Sequence, residues 1–270
     1  MTAGDTSFSL NRVNAMVRRY WYLLRSSWPR ILDLIYWPAV QMLMWGFLQM
    51  YVAENSGYFA RASGVFIGAV LLWDILFRSQ LGFSISFLEE MYARNLGNIM
   101  MSPLRPVEFV AALMIMSLIR LAIGMVPVTL LAIAFFGFNL WSLGVALAAF
   151  FVNLMLTSWS IGILVSGLLL RNGMGAESLA WTIMFLFLPL TCVYYPASVL
   201  PNALQYVAWS LPPTYVFEGM RALLIDHVFR ADLMLEAFAF NVVLFAAAAA
   251  AFLALLRSAR VQGTLLQTGE

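Results

Sequence analysis

Three charged residues lie inside long apolar stretches of the sequence, where ionic side chains are rare. Asp74 and Arg78 are four residues apart and would share one face of a helix, where they can form an ion pair. Arg120 follows Pro106 by 14 residues, which places it ~21 Å along a helix, near the middle of a membrane. We expect Arg120 to face the protein interior, close to Asp74 or a central cavity. The three side chains either form a buried ion network that fixes helix packing or line a substrate path.

Few other residues have the types and spacing that catalysis or metal binding needs. Cys192 is the single cysteine and His227 the single histidine. His227 lies beside Asp226 and near Asp232, but a solvated loop histidine is a simpler interpretation than a metal site. An intramembrane enzyme needs catalytic groups clustered at one depth, whereas the acids here are scattered over different loops and spans. The sequence also contains no lysine, and a P-loop requires one, so we expect no ATPase site on this chain.

The composition is that of an integral membrane protein. The 270 residues are 63% hydrophobic and only 10% charged, with a mean hydropathy of +0.87, far from the usage of soluble domains. A helix needs about 20 residues to cross the hydrocarbon core. The sequence therefore predicts an all-α integral membrane protein that forms one domain over residues 1–270. Its six predicted transmembrane helices are 31–53, 63–83, 107–135, 141–170, 178–195 and 233–256.

The arginines predict the orientation of these spans. Cytoplasmic loops are enriched in positive charge, and arginine supplies all 15 basic residues. With the N-terminus inside, eleven arginines fall on the inner side and three on the outer side, and Arg120 is left within a span. Both termini are therefore predicted to be cytoplasmic. The count assigns Arg78 to the inner end of the second span.

Residues 1–30 carry a helical pattern before the first span. Arginines alternate with apolar residues that recur every three or four positions, a pattern typical of an amphipathic helix at the inner membrane surface, with its guanidinium groups near anionic headgroups. A cytoplasmic helix packed on a partner is the alternative. The apolar positions are Leu10, Val13, Val17, Tyr20, Leu24 and Trp28, and the arginines are Arg12, Arg18, Arg19 and Arg25.

The segment 84–106 joins the second and third spans on the predicted cytoplasmic side. An apolar stripe starts at Leu88 and ends at Ile99, which predicts a short amphipathic helix. Pro103 disfavours helix at Ser102, and Pro106 suits the first turn of the next helix. The predicted order is helix, tight bend, helix. Because a plain connector needs only a few polar residues, this segment is better suited to docking a cytosolic partner.

The segment 196–232 follows the fifth span on the predicted outer side. It mixes prolines with apolar and aromatic residues and is too long for a turn. Irregular backbone at membrane depth must be buried in protein or line a cavity, because lipid cannot satisfy its polar groups. We expect an outer re-entrant helical region that forms a gate. A folded extracellular cap without a gating role is the alternative.

Two stretches of the sequence resemble signatures of the membrane permeases of type-2 ABC transporters. The first is MSPLRPVEF, Met101 to Phe109, and the second is YYPASVLPNALQYVAWSLPPTYVFEGMRALL, Tyr194 to Leu224. The resemblance covers nearly the whole chain, and it implies that the 84–106 segment is a coupling helix that contacts an ATPase. The candidate coupling residues are Glu90, Arg94, Asn95, Gly97, Ser102, Pro103, Arg105 and Pro106. The candidate gate residues are Tyr194, Tyr195, Pro196, Leu200, Pro201, Pro212, Tyr215, Glu218 and Arg221.

The resemblance also implies the partners. A permease of this kind would assemble with a second permease, identical or closely related, and with two separate ATPase subunits that carry ATP and Mg²⁺, while this chain carries no cofactor. It would lie in a bacterial inner membrane, contact membrane lipids but no nucleic acid, and export an amphipathic or lipid-like cargo such as a drug, a lipid or a lipid-linked glycan. A secondary transporter is less well supported, because the halves show no convincing repeat. An intramembrane enzyme lacks the clustered catalytic groups noted above.

Overall fold

The computed structural model describes residues 8–55 and 64–262, and within these ranges all regular structure is helical. The described α-helices are α1 (Leu10–Arg25), α2 (Trp28–Asn55), α3 (Val65–Tyr92), α4 (Leu96–Met101), α5 (Pro106–Phe136), α6 (Val145–Asn172), α7 (Leu179–Leu190), α8 (Asn202–Trp209), α9 (Pro212–Ile225) and α10 (Ala231–Gln262). Short 3₁₀ turns cover Leu140–Leu143, Met174–Ala176 and Ala197–Val199. The predicted all-α membrane fold is confirmed.

Five of the described helices, α2, α3, α5, α6 and α10, are long and apolar enough to cross a membrane. Their bounds agree closely with the predicted spans except at the ends of α3 and α10, and α10 continues to Gln262 beyond its predicted end at 256. Helix α3 continues to Tyr92, well beyond the predicted end at 83, because Phe83, Phe87 and Leu88 extend its buried surface. Arg78 therefore lies near the middle of α3. The arginine count had placed it at the inner end of the span, and this assignment is wrong.

The fifth predicted span is not a complete transmembrane helix. Helix α7 has 12 residues, or ~18 Å, whereas the hydrocarbon core is ~30 Å thick. Pro189 lies in its last turn, and Cys192 just beyond it has a left-handed backbone with φ 56°. The prediction of a helix over 178–195 is wrong in length, because the backbone becomes irregular after Leu190.

The described part of the chain nevertheless passes through the bundle six times. Asn153 of α6 contacts Met234 of α10, and Gly167 further along α6 lies against Phe252 of α10. Helices α6 and α10 therefore run parallel. The chain must return from the end of α6 to its starting level before α10 begins. Helix α7 and the irregular residues 191–195 make this return pass.

The two ends of the bundle differ in structure. The basal end holds α1, α4 and the last turn of α10, where Arg260 Nη2 contacts Met100 Sδ at 3.7 Å. The apical end holds α8 and α9, and Met220 and Leu224 of α9 lie against Gly68 near the start of α3. Both ends of the described chain therefore lie at the basal end. Residues 1–7 and 263–270 lie outside the described residues, so the cytoplasmic location of both termini stays a prediction.

Helix α3 is the centre of the bundle. In its most apolar window 83% of the residues are buried, compared with 17% for α2 and 22% for α10. Gly124 permits the close approach of α5 to α2, since a Cβ there would lie 2.6 Å from the carbonyl oxygen of Leu34. Helices α2 and α10 thus present apolar outward faces, as helices in contact with lipid or another subunit do.

Candidate functional site

The basal segment between α3 and α5 has a helix, turn, helix, bend arrangement. Helix α3 ends at Tyr92, and Arg94 in the following turn has a left-handed backbone with φ 52°. The predicted apolar stripe is therefore divided between two helices, although Leu96 and Ile99 are buried in α4 as expected. The turn is closed by a hydrogen bond from Asn95 N to Glu90 O at 3.0 Å. The predicted single amphipathic helix is shorter than expected because Arg94 interrupts it.

The bend between α4 and α5 matches its prediction. Ser102 is extended, with ψ 164°, and Pro106 is the first residue of α5. Glu108 in the first turn accepts a hydrogen bond from the backbone N–H of Arg105 at 3.0 Å. The two prolines thus separate the helices, and the acid satisfies an otherwise unpaired donor at the start of α5.

The predicted coupling residues fall into three groups by exposure. Glu90 is fully buried. Those on the surface are Arg94, Ser102 and Pro103. Those that are half-buried are Asn95, Gly97, Arg105 and Pro106. Their part in ATPase coupling stays a prediction, but Glu90 is placed to support this surface from beneath and not to touch a partner.

Ion pairs that were not predicted from the sequence connect helix α1 to the basal segment. Glu108 accepts hydrogen bonds from Arg12 Nε at 2.8 Å and Arg12 Nη2 at 2.6 Å. It also accepts one from Ser9 N at 2.8 Å. The Glu108 side chain is fully buried, and a buried carboxylate needs such partners. The start of α1 is therefore attached to the start of α5.

A second ion pair joins α1 to the end of α3. Glu90 accepts hydrogen bonds from Arg19 Nε at 2.9 Å and Arg19 Nη2 at 3.0 Å, in the fork geometry that arginine favours. Asn95 Nδ2 donates a third at 2.8 Å. Burial, with a contribution from the nearby Glu90 carboxylate, raises the pKa of the buried Tyr20 phenol well above its usual range, so this group stays neutral. Glu90 therefore connects α1 to the turn that begins α4.

The third acid, Glu89, is shared between two helices. It pairs with Arg30 Nη1 at 3.0 Å and with Arg120 Nη2 at 3.0 Å. The Arg120 side chain is only 5% exposed, so the prediction that it faces the interior is confirmed. The prediction that Arg120 lies close to Asp74 is wrong. The Arg120 side chain leaves α5 beside Gly82 and extends toward the basal end, where it pairs with Glu89. We call Arg12, Arg19, Arg30, Glu89, Glu90, Glu108 and Arg120 the basal ion-pair network.

The network corrects the interpretation of α1. Arg12 and Arg19, predicted to lie near lipid headgroups, pair with acids of the same chain, although the Arg19 side chain remains 43% exposed. Arg18 and Arg25 are also exposed. Trp28 belongs to α2 and not to the α1 stripe. A clue was present in the sequence, because adjacent acids at 89 and 90 are unusual in so apolar a chain and need cationic partners.

A pair of neighbouring arginines allows a direct test of this attachment. Arg19→Gln should release α1 from α3, because the buried Glu90 loses two charge-assisted hydrogen bonds. We expect faster chymotrypsin cleavage after Tyr20, which is buried in the folded chain. Arg18→Gln changes the same charge at an exposed position and should leave the rate unchanged. Equal rates in the two variants would contradict the proposed attachment.

Asp74 and Arg78 form the ion pair that their spacing predicts. Arg78 Nε lies 3.5 Å from Asp74 Oδ1, which is long for a charge-assisted hydrogen bond. Asp74 is fully buried, and neither of its oxygens accepts a hydrogen bond from the described residues. Arg120 is therefore separate from this pair, and the three charges do not form one network.

The apical segment is a folded unit of short helices, in agreement with the predicted helical region over 196–232. Thr214 Oγ1 donates to Ala208 O at 2.6 Å, and Tyr215 OH donates to Trp209 O at 2.8 Å. These bonds connect α9 to the end of α8. Gln205 Nε2 donates to Leu200 O at 2.7 Å. Side chains within the segment thus satisfy three of its backbone carbonyl groups.

Glu218 and Arg221 attach this unit to the end of the return pass. Arg221 Nη1 donates to the carbonyl oxygens of Cys192 at 2.8 Å and Val193 at 3.3 Å. Glu218 Oε1 accepts from Ala197 N at 2.7 Å and lies 2.9 Å from Arg221 Nη2. The two charged side chains thus satisfy backbone groups that the irregular chain leaves without helical partners.

The other predicted gate residues surround this attachment. Tyr194 stacks on Trp45 of α2, with ring centroids 4.4 Å apart, and Tyr195 OH donates to Pro189 O at 2.6 Å. Pro196 and Pro201 precede the 3₁₀ turn and α8, and Pro212 begins α9. The structure brings all nine candidate gate residues, Tyr194, Tyr195, Pro196, Leu200, Pro201, Pro212, Tyr215, Glu218 and Arg221, into one apical region. A cleft of about 510 Å³ lies beside it, between Phe66, Trp209 and Arg221.

One polar contact between helices was missed in the sequence. Asn241 Nδ2 of α10 donates to the Asn153 carbonyl oxygen at 3.0 Å, and Thr157 Oγ1 donates to Asn241 Oδ1 at 2.6 Å. All three residues are buried. An asparagine within the otherwise apolar stretch of the last helix was the available signal, since such amides form hydrogen bonds across helices. Within the described residues no group of three metal-ligating side chains comes together, and His227 lies in the loop before α10.

The fold and these sites define a multi-pass helical membrane protein with a shaped basal surface. A model of the ABC-2 type transporter family matches residues 12–225, a range that includes the basal segment and the apical helices α8 and α9. The chain belongs to this family, and it is therefore a permease component of an ABC transporter. A search of curated proteins found no match.

Proposed function

We propose that this chain is the permease subunit of an ATP-driven exporter in a bacterial inner membrane. Two permeases, identical or closely related, would form the path, and two separate ATPase subunits would bind ATP and Mg²⁺. The family supports association with ATPase subunits in general. The basal end would face the cytoplasm, in agreement with the arginine count, so both termini would lie inside.

The basal surface is the observation that carries this proposal. Tyr92, Met101 and Val107 are 54%, 77% and 63% exposed, and the cationic Arg94 lies among them on the same segment. Exposed apolar side chains grouped with polar ones at the polar end of a membrane protein mark an interaction site. The surface is short and well defined because the two prolines and the left-handed Arg94 fix its shape.

The basal ion-pair network supports a mechanical role for this surface. Glu90 and Glu108 flank the segment, and each is attached to α1. Glu89 connects the end of α3 to α2 and α5. A displacement of α4 by an ATPase would therefore be transmitted to three other helices through ion pairs. We infer that α1 acts as a brace that keeps the coupling segment and the bundle moving together.

Two substitutions on the exposed surface test the proposal. Arg94→Glu and Met101→Glu should each weaken binding of the ATPase subunits by about tenfold or more, as removal of a central interface residue does, and transport should fall with it. Affinity is measured by titrating the ATPase subunits onto the permease in nanodiscs. Val199→Glu introduces the same charge at a 65% exposed apical residue and serves as the control. Unchanged ATPase affinity in both basal variants would remove this surface from the mechanism.

The apical region is proposed as the outer gate. Its segment is closed by its own hydrogen bonds and attached at Arg221, so it can move as a unit. The adjacent cleft is lined by aromatic and charged residues, as a path for amphipathic molecules would be. These features favour a gate over a passive cap, and they suit an amphipathic or lipid-like cargo.

A further inference from the structure

Arg78 occupies an unusual position for an arginine. It lies 13 residues after Val65 and 14 before Tyr92, in the middle of the central transmembrane helix α3. A guanidinium at this depth is costly unless it meets a partner, water or a bound anion. Arg120 has a partner in Glu89, but the environment of Arg78 is different.

The guanidinium of Arg78 is only partly satisfied. Its Nε is buried at 3.5 Å from Asp74 and makes no hydrogen bond. The two terminal nitrogens are not among the buried atoms and donate no hydrogen bond to any described residue. Asp33 of α2 interacts with Arg78 only through longer-range electrostatics. Asp74 thus holds one edge of the guanidinium, and the opposite edge, with its terminal donors, is available.

One aromatic ring lies beside the Arg78 guanidinium, and two further rings lie beside that ring. The Arg78 guanidinium carbon lies 5.8 Å from the centroid of the Phe77 ring. Phe77 in turn lies 6.4 Å from Trp181 and 6.0 Å from Phe185 of α7. Trp181 and Phe185 are 41% and 61% exposed. A cation with free donors therefore borders a broad aromatic surface within the membrane-spanning part of the protein.

We propose that Arg78 and this aromatic surface bind an amphipathic anion during its passage. A carboxylate or phosphate of the cargo accepts hydrogen bonds from the terminal nitrogens of Arg78, in the paired geometry that guanidinium offers to such groups. The apolar or ring-shaped part of the same molecule packs on Phe77, Trp181 and Phe185. This inference rests on the proposed permease function and names the chemical class of the cargo.

The charge arrangement explains why Arg78 and not another arginine performs this task. Arg120 donates to both oxygens of Glu89, and Arg221 is engaged by two carbonyl oxygens and Glu218. Both would have to break existing bonds before they could bind cargo. Asp74 leaves the terminal donors of Arg78 free, and its negative charge also keeps the site nearly neutral when empty. Because Asp74 repels a bound anion, it limits how tightly Arg78 holds the anion and so favours release.

A pair of matched probes tests this site in the full-length permease in phosphatidylcholine nanodiscs. Pyrenebutyrate and pyrenebutanol share the aromatic body and differ in the carboxylate, and their binding is followed by fluorescence anisotropy. The wild-type permease should prefer pyrenebutyrate. Arg78→Gln should weaken pyrenebutyrate binding by about tenfold or more, the value of a charge-assisted hydrogen bond, and change pyrenebutanol binding by less than about twofold. Arg78→Lys should retain part of the preference, and Phe185→Ala should weaken both probes.

The controls separate this inference from its alternatives. Arg257→Gln removes the same charge at an exposed position in α10 and should change neither affinity. Equal or absent binding of the two probes to the wild-type permease would overturn the proposal. So would loss of the permease dimer in Arg78→Gln, because Arg78 would then pair with the second copy. Competition by phosphatidylglycerol would assign the anion to a lipid headgroup and also overturn it. The ATPase titration described above fails or succeeds independently of these outcomes.

Discussion

Glu89→Leu is expected to destabilise the folded permease by about 3 kcal/mol or more, since breaking a buried ion pair from one side leaves the other charge uncompensated. The stranded charge is Arg120, whose side chain is 5% exposed. Arg30 also pairs with Glu89, but it is half-exposed and can be solvated. Unfolding is measured through Cys192, which is the single cysteine and is fully buried. A thiol-reactive fluorophore should label it at lower temperature in the variant.

The double variant identifies the partner. Glu89→Leu with Arg120→Leu should recover much of the lost stability, because both charges of the pair are then absent. Asp74→Leu with Arg120→Leu should show additive losses, since these residues do not interact. The basal ion-pair network would be wrongly assigned if the stability losses were coupled for Asp74 and Arg120 but additive for Glu89 and Arg120.

The helices were predictable because hydrophobic length alone specifies most of them. The predicted spans 107–135 and 233–256 lie within α5 and α10, and the positions of Pro106 and Glu108 predicted the start of α5. The end of α3 was not predictable in this way. Ser84, Ser86, Glu89 and Glu90 lower the hydropathy there. The helix continues because Ser84, Ser86 and Glu90 are buried and because arginines of other helices pair with Glu89 and Glu90.

The partners of the charged residues were less predictable than their presence. The sequence identified Asp74, Arg78 and Arg120 as charges that need partners, because the free-energy cost of a charge depends on its depth in the membrane. The choice between Asp74 and Glu89 as the partner of Arg120 depends on which way the side chain extends along α5. Local spacing was sufficient to predict the ion pair of Asp74 and Arg78, because both residues lie on one helix. It contained no information on contacts such as Arg12 with Glu108, which are 96 residues apart.

Arg221→Met is the second change for which we expect a large effect. Arg221 is the donor for the carbonyl oxygens of Cys192 and Val193, and it is the charge partner of Glu218. Its loss leaves two carbonyl acceptors unsatisfied and removes the charge partner of Glu218, at a cost of about 3 kcal/mol. Because these groups lie between the return pass and the apical segment, the loss should appear first as local opening. Cys192 should be labelled faster at temperatures where the rest of the chain remains folded.

Arg230→Met provides the matched control for this experiment. Arg230 pairs with Asp232 at 2.6 Å, but both side chains are about half-exposed, at 48% and 52%, and exposed pairs contribute little to stability. Arg230→Met should leave the labelling rate of Cys192 unchanged. Arg221→Lys should restore part of the protection of Cys192, because the lysine can donate to one carbonyl oxygen. Equal labelling in the Arg221→Met and Arg230→Met variants would show that Arg221 does not hold the segment closed.

Transport by the same variant separates an outer gate from a passive cap. If the apical segment is a gate, Arg221→Met should change the rate of cargo export while the ATPase subunits still bind with wild-type affinity, because the basal surface is at the opposite end of the bundle. If the segment is a cap, labelling of Cys192 should increase and export should continue at the wild-type rate. Local opening with unchanged export would therefore contradict the gate, even though the structural role of Arg221 would stand.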